Sequence, residues 1–136
     1  MEKHIFIFGL GYVGCHLGAE LFRRGWQVSG TTRQPKKLAG HVPDKWTIFS
    51  FDAGATSGKL DVHLAKATHL LSTIAAPSGR DPVIEMYGKK IENFSGWTGY
   101  VSATSVYPDQ GEEWINEETE PAPATTRGRL RLAAEQ

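Results

Sequence analysis

Three glycines near the start of the chain have the spacing of a loop that cradles phosphates. Gly9, Gly11 and Gly14 form a complete G-x-G-x-x-G, with Tyr12 and Val13 between the last two. The first glycine permits a tight turn, the second leaves room for a pyrophosphate, and the third allows close packing of a following helix. Backbone N–H groups around Tyr12 and Val13, at the positive end of the helix dipole, would then hold the phosphates.

A basic segment follows about twenty positions later, where the residue types in dinucleotide-binding proteins determine whether NAD or NADP is bound. An acidic residue there binds the ribose 2′-hydroxyl of NAD. This sequence instead has Arg33, with Lys36 and Lys37 close behind. Because an arginine can hold a 2′-phosphate through two hydrogen bonds, the segment favours NADP over NAD. The alternative is a solvated basic turn.

The residues flanking the glycine loop are those expected of a strand and a helix. Residues 5–8 are continuously apolar, which is typical of a strand buried on both faces. Val13, Leu17 and Leu21 then recur every four residues and predict the buried stripe of an amphipathic helix that stops at Gly25. This context favours a dinucleotide site over the alternative, a glycine-rich turn without a ligand.

The same alternation continues along the chain and predicts an α/β fold. Four further strands are predicted at residues 26–32, 46–51, 68–74 and 99–102. Helices are predicted at residues 36–38, 60–67, 81–94 and 127–135, with an acidic loop at 110–125. Such an order predicts a Rossmann-type, doubly wound parallel sheet that stops after about five strands. Ligands bind beyond the carboxyl ends of such strands, where Asp52 could accept a hydrogen bond from adenine or cap a turn.

Composition narrows the classes of partner. The 136 residues carry 15 basic and 15 acidic side chains, and this balance argues against nucleic acid as a partner. The five histidines show no ligand spacing, and with Cys15 as the only cysteine we expect neither a metal site nor a disulfide. Cys15 either packs in the interior or, near a helix N-terminus, has a lowered pKa. No apolar run is long enough to span a bilayer, so we expect a cytoplasmic protein without a membrane partner.

Several segments together resemble a known family. The glycine loop, Arg33, Ala75-Ala76-Pro77 and residues 100–107 (YVSATSVY) are similar to extended and atypical short-chain dehydrogenases/reductases, especially NAD(P)-dependent epimerase/dehydratases. The resemblance implies a nicotinamide cofactor bound by the glycine loop and by Ala75 and Ala76. It also implies a small-molecule substrate such as a sugar nucleotide, and a homodimer. Residues 1–136 would be a partial NAD(P)-binding domain, without the family's C-terminal substrate-binding region.

The family's catalytic residues match poorly. Its Tyr-x-x-x-Lys falls on Arg127 and Arg131, and an arginine is a poor general base. The family's serine or threonine falls on Ala103, which leaves Thr104 as the candidate catalytic residue and Ser102 as a neighbour that could substitute. We therefore expect the chain by itself to bind the cofactor without turning over a substrate.

Three functions fit these observations. The first is an NADP-dependent oxidoreductase or epimerase-like protein acting on a sugar nucleotide or a related carbonyl or hydroxyl compound. The second is a non-catalytic dinucleotide-binding module that serves as a sensor or partner. The third is part of a nucleotide-sugar dehydrogenase, which the Gly-Leu-Gly-Tyr-Val-Gly loop also resembles, although Arg33 and residues 100–107 argue against it.

Overall fold

The computed structural model describes residues 2–51, 58–76 and 78–136, and within them the predicted α/β fold is confirmed. Five parallel strands form one sheet in the order β3-β2-β1-β4-β5. The strands are β1 His4–Phe8, β2 Gln27–Thr32, β3 Thr47–Ser50, β4 His69–Ser72 and β5 Trp97–Tyr100. The order reverses between β1 and β4, which places the switch point of the sheet beside the glycine loop.

Helices connect the strands and cover the sheet. They are α1 Tyr12–Arg23, α2 Pro35–Ala39, α3 Gly58–Lys66, α4 Pro82–Glu92 and α5 Thr126–Glu135, and a single 3₁₀ turn spans Thr104–Val106. Buried Asp81 caps α4, because its Oδ1 accepts a hydrogen bond from Val83 N at 2.8 Å. None of the helices in the described ranges is long and apolar enough to cross a membrane.

The core lies on both faces of the sheet, as a continuously apolar first strand requires. All five residues of β1 are buried. Phe6 and Phe8 point to one face, where aromatic and aliphatic side chains from β3, α3 and α4 surround them. Ile5 and Ile7 point to the other face and pack with Val28 and the neighbourhood of α1. The central strand is thus fixed from both sides.

The predicted buried stripe of α1 is wrong at Val13 and Leu17, whereas Leu21 is partly buried and packs against the core together with Phe22. Val13 is 50% exposed and Leu17 is 36% exposed, and the buried residues of the helix are Gly14 and Gly18. A Cβ on Gly18 would stand 2.6 Å from the ring of Trp46. The first turns of the helix therefore pack through glycines against backbone and a tryptophan ring, and Leu21 and Phe22 extend the contact at its C-terminal end.

The fifth strand begins two residues earlier than predicted. Register pairs His69 with Trp97 and Ser72 with Tyr100, so β5 ends where β4 ends. Gly99 lies inside the strand because the ring of Trp97 covers the place where a side chain would be. The glycine is a packing residue here, although in the sequence it reads as the beginning of the strand.

Candidate nucleotide-binding site

A cleft of about 540 Å³ opens where β1, β2 and β4 end. It is lined by the glycine loop, by the end of β2 and by the segment after β4, namely Gly9, Leu10, Gly11, Thr31, Thr32, Arg33, Phe51, Thr73, Ile74, Ala75 and Pro82. This is the edge of a parallel sheet at which the sequence predicts a ligand.

Two threonines hold the first glycine of the loop in place. Gly9 N donates to buried Thr31 Oγ1 at 3.0 Å, and Thr73 Oγ1 donates to the Gly9 carbonyl at 2.5 Å. Gly9 has a φ of +97°, which only glycine adopts at little cost. Leu10 N continues the attachment by donating to Thr31 O at 2.7 Å. The loop is thus fixed to β2 on one side of β1 and to the segment directly after β4 on the other.

The other two glycines differ in what surrounds them. A Cβ on Gly14 would overlap the carbonyl oxygen of Gly9, so this glycine brings α1 close to the end of β1. A Cβ on Gly11 would meet no neighbouring atom within 4 Å, and the backbone there is extended, with φ −92° and ψ −153°. The fold of the described residues would therefore accept a side chain at position 11. The glycine there leaves open space on the cleft.

The N-terminus of α1 faces this space with free donors. The first helical bond joins Cys15 N to Gly11 O at 2.9 Å, and among the described residues no side chain caps the helix. Tyr12, the first helical residue, is 81% exposed, and its ring lies 4.3 Å from that of His16. The uncapped N–H groups and the helix dipole make this end suited to an anion.

A second, basic cleft of about 600 Å³ adjoins the first at the end of β2. Its lining residues are Thr32, Arg33, Gln34, Lys37, Leu38 and His41. Arg33 belongs to both clefts, whereas Lys36 lines neither. None of the salt bridges among the described residues involves Arg33 or Lys37. Both cations are therefore free to face a phosphate.

The remaining predicted cofactor residues lie around the cleft in different ways. Ala75 lines it, and Ala76 is buried next to it. Asp52 lies outside the described residues. Cys15 packs beneath the loop, where its thiol donates to Leu10 O at 3.5 Å. Burial raises the pKa of this thiol, so the alternative of a lowered pKa at the helix N-terminus is wrong.

The candidate catalytic residue lies apart from this cleft. Thr104 begins the 3₁₀ turn and lines another cavity, of about 690 Å³, together with Ser102 and Ala103. No lining residue is common to this cavity and the glycine-loop cleft. Arg131, which the sequence resemblance aligns with the family's lysine, donates from Nη1 to Val101 O at 3.1 Å. Its guanidinium thus attaches α5 to the segment after β5, and Arg127 is exposed.

Thr31 and Thr73 are the site residues that sequence reasoning missed. Thr31 stands two residues before Arg33 and reads as an ordinary strand residue. Thr73 lies in the segment predicted as strand, but the strand ends at Ser72 and the threonine hydroxyl turns to the glycine loop. These two residues could have been found in the sequence as hydroxyl side chains at the ends of the strands on either side of β1.

Known proteins with this fold include dinucleotide-dependent enzymes. The sequence matches no protein-family model and no curated relative. Among solved structures, a conserved protein of unknown function from Silicibacter pomeroyi is similar over 98% of this chain and 46% of its own, with 33% identity and a TM-score of 0.83. The dTDP-glucose 4,6-dehydratase of Bacillus anthracis, solved in complex with NAD, has 14% identity, a TM-score of 0.73 and coverage of 98% and 48%.

A UDP-galactose 4-epimerase is similar at 18% identity and a TM-score of 0.70, over 96% of this chain and 48% of its own. The chain thus spans about half the length of these structures. The resemblance read from the sequence is confirmed at the level of the fold. The chain has the Rossmann-type fold of the extended short-chain dehydrogenases/reductases and NAD-dependent epimerase/dehydratases.

Proposed function

We propose that the chain binds a nicotinamide dinucleotide, with the pyrophosphate on the glycine loop and at the N-terminus of α1. The observation that carries this proposal is Gly11. Gly9 and Gly14 are glycines for reasons internal to the fold, whereas the surroundings of Gly11 would accept a side chain. A glycine that the packing does not require, placed on a cleft beside uncapped N–H groups, is what a closely approaching phosphate requires.

The cofactor we propose is NADP. Arg33 borders both clefts at the end of β2, and Lys37 lines the basic one. The 2′-phosphate of NADP would lie between these two cations, where its charge-assisted hydrogen bonds would be stronger than neutral contacts. A dinucleotide without this phosphate would leave both cations unpaired at the same site.

We therefore expect Arg33→Gln to lower NADP affinity far more than NAD affinity. Loss of one charge-assisted contact costs about 1.5–3 kcal/mol, a fall of about ten- to 150-fold in affinity. Titration calorimetry with both cofactors measures the difference directly. Lys36→Gln is the matched control, because it removes a neighbouring cation that lines neither cleft. Equal affinity of the unmodified protein for NADP and NAD would contradict the proposed preference.

The reaction class we propose is that of an oxidoreductase or epimerase-like protein. The nicotinamide, when bound, would exchange hydride with a carbonyl or hydroxyl carbon, and the chain would bind and orient it. A sugar nucleotide is the proposed substrate, since dTDP-glucose and UDP-galactose are named for two enzymes of this fold. Thr104 is the candidate catalytic hydroxyl.

A non-catalytic dinucleotide-binding module is the second candidate, and Arg131 favours it. The guanidinium at the position of the family's lysine is engaged with a backbone carbonyl. Arginine also stays protonated, so neither Arg127 nor Arg131 can take up a proton as a base. In this function the bound dinucleotide would be a signal and would undergo no chemistry.

The two candidates differ in turnover: an oxidoreductase or epimerase exchanges hydride with its substrate, whereas a non-catalytic module only binds the dinucleotide. We expect NADP binding without turnover, because the general acid and base of the family are missing. Binding is measured by fluorescence, and turnover by exchange of labelled hydride over a panel of sugar nucleotides. Cofactor-dependent exchange that survives Thr104→Ala would show that the assigned catalytic residue is wrong and would exclude the non-catalytic function.

A further inference from the structure

A hydrogen-bonded group of two histidines and one serine lies at the end of the sheet opposite the clefts. His4 begins β1, Ser29 lies in β2, and His63 lies in α3. His4 is 4% exposed and Ser29 is 2% exposed. His4 Nε2 lies 2.7 Å from Ser29 Oγ, and that same oxygen lies 3.2 Å from His63 Nδ1. The serine hydroxyl thus links both imidazoles, and with them α3 and the sheet.

The single hydrogen of the Ser29 hydroxyl limits the directions of these hydrogen bonds. Ser29 can donate to only one of the two ring nitrogens, His4 Nε2 or His63 Nδ1, and its oxygen must accept from the other. Two neutral imidazoles therefore need the same tautomer: Nδ1–H on both rings when Ser29 donates to His4, or Nε2–H on both when it donates to His63.

Protonation disturbs this arrangement in a defined way. If His4 is protonated, its Nε2 donates to the Ser29 oxygen, so the Ser29 hydroxyl must donate to His63 Nδ1 and neutral His63 must carry its hydrogen on Nε2. If both imidazoles are protonated, both donate to the oxygen and the hydroxyl hydrogen loses its acceptor. Two positive rings would then stand 6.1 Å apart, with His4 buried. The arrangement therefore accommodates one added proton and opposes a second.

We propose that the His4–Ser29–His63 group makes the attachment of α3 to the sheet depend on pH, holding the helix while at most one imidazole is protonated and releasing it when both are. The buried residues of the helix are Leu60 and Leu64, and its Asp61 forms an exposed ion pair with Lys90 of α4 at 2.8 Å. His63 additionally packs edge-on against Phe49 of β3, at 5.2 Å between ring centres. Release of the imidazole would therefore expose the apolar contact between α3 and the sheet.

The surroundings of His4 oppose its protonation in the folded protein, as a release of α3 at low pH requires. Burial and neighbouring His63 lower the pKa of His4, and Lys66 lowers it further, while the Lys66 carbonyl and Glu2 raise it. From β2 no charged side chain faces the imidazole, since that strand reads QVSGTT. On the β4 side, His69 Nδ1 lies 2.8 Å from Thr68 Oγ1, the hydroxyl bound to the His4 backbone.

The sign of the pH dependence follows from the lowered pKa. The unfolded chain binds a proton at His4 near an ordinary pKa of about 6.5, while the folded chain resists it. Unfolding therefore takes up protons below that pH. Stability is complete above about pH 6.5 and falls as the pH drops towards the pKa of the folded state.

The test is the unfolding equilibrium in urea between pH 8 and pH 5, with hydrogen exchange of the α3 amides measured alongside. We expect the unfolding constant to rise by up to about tenfold per pH unit below pH 6.5 for each proton taken up. His4→Gln should flatten this dependence, whereas His41→Gln, an exposed histidine outside the group, should leave it unchanged. Equal slopes for His4→Gln and the unmodified protein would refute the proposal.

A measurement on the unmodified protein covers the case in which His4→Gln does not fold. Nitrogen chemical shifts of the imidazoles at pH 8 report which ring nitrogen carries hydrogen. We expect the same tautomer on His4 and His63, either Nδ1–H on both rings or Nε2–H on both. Different tautomers on the two rings, or α3 amides equally protected at pH 5.5 and 7.5 after correction for intrinsic exchange, would overturn the proposal.

Discussion

Gly11→Val should abolish dinucleotide binding and leave the fold intact. The branched side chain would fill the open space on the cleft where the pyrophosphate is proposed to lie, and would separate the phosphates from the N–H groups of α1. The extended backbone at position 11 accepts valine without strain, and no described atom lies within 4 Å of its Cβ. We expect affinity for NADP to fall at least about a hundredfold, which corresponds to about 2.7 kcal/mol.

Fluorescence titration with NADP gives the affinity, and urea unfolding gives the stability of the same sample. Gly88→Val is the matched control, because a Cβ there makes only an ordinary contact with Ile84, on α4 and away from the loop. The control should bind as the unmodified protein does. Normal NADP binding by Gly11→Val would place the dinucleotide somewhere other than the glycine loop.

Gly14→Ala should have the opposite effect and destabilise the fold. Its Cβ would overlap the carbonyl oxygen of Gly9 and approach Ile7. Because the first contact is with backbone, no rotation of a side chain relieves it, and α1 must move away from the end of β1. Crowding of this kind costs about 1–3 kcal/mol.

The measurement is the free energy of unfolding from urea titration. Gly88→Ala serves as the control in the same helical context, and it should stabilise α4 by up to about 1 kcal/mol because glycine disfavours helix. An unchanged stability of Gly14→Ala would mean that α1 is not pressed against the glycine loop. Together with Gly11→Val, this variant separates the glycine that serves the ligand from the one that serves the packing.

The sequence predicted those features of the fold that depend on local patterns. An apolar run followed by spaced glycines can hardly be other than a buried strand and a turn into a helix, so β1 and α1 were found. The buried face of α1 was found only at Leu21, because hydrophobic spacing assumes that large side chains do all of the packing. Here Gly18 lies under the ring of Trp46, a contact between distant positions that no local pattern encodes.

The candidate site was predictable to a similar extent. The positions of Gly11 and Arg33 on one cleft follow from the topology of any parallel sheet of this order. Thr73 can bind the Gly9 carbonyl only because β4 ends at Ser72. The end of β4 depends on its pairing with β1, which is not a local feature of the sequence. The guanidinium of Arg131 could be recognised as a poor base from its chemistry alone, but its bond to the Val101 carbonyl depends on how α5 packs beside β5.

The place of β1 at the centre of the sheet bears on how the chain is made. β1 leaves the ribosome before either of its neighbours, yet it pairs with β2 on one side and, through Ile5 and His69, with β4 on the other. Synthesis of the intervening segment takes on the order of seconds. During that time the five buried residues of β1 have one open edge, and the face that carries Phe6 and Phe8 lacks its cover from α4. The nascent chain is therefore most prone to aggregate before β4 appears, and a chaperone that binds short apolar segments would find its target at residues 4–8.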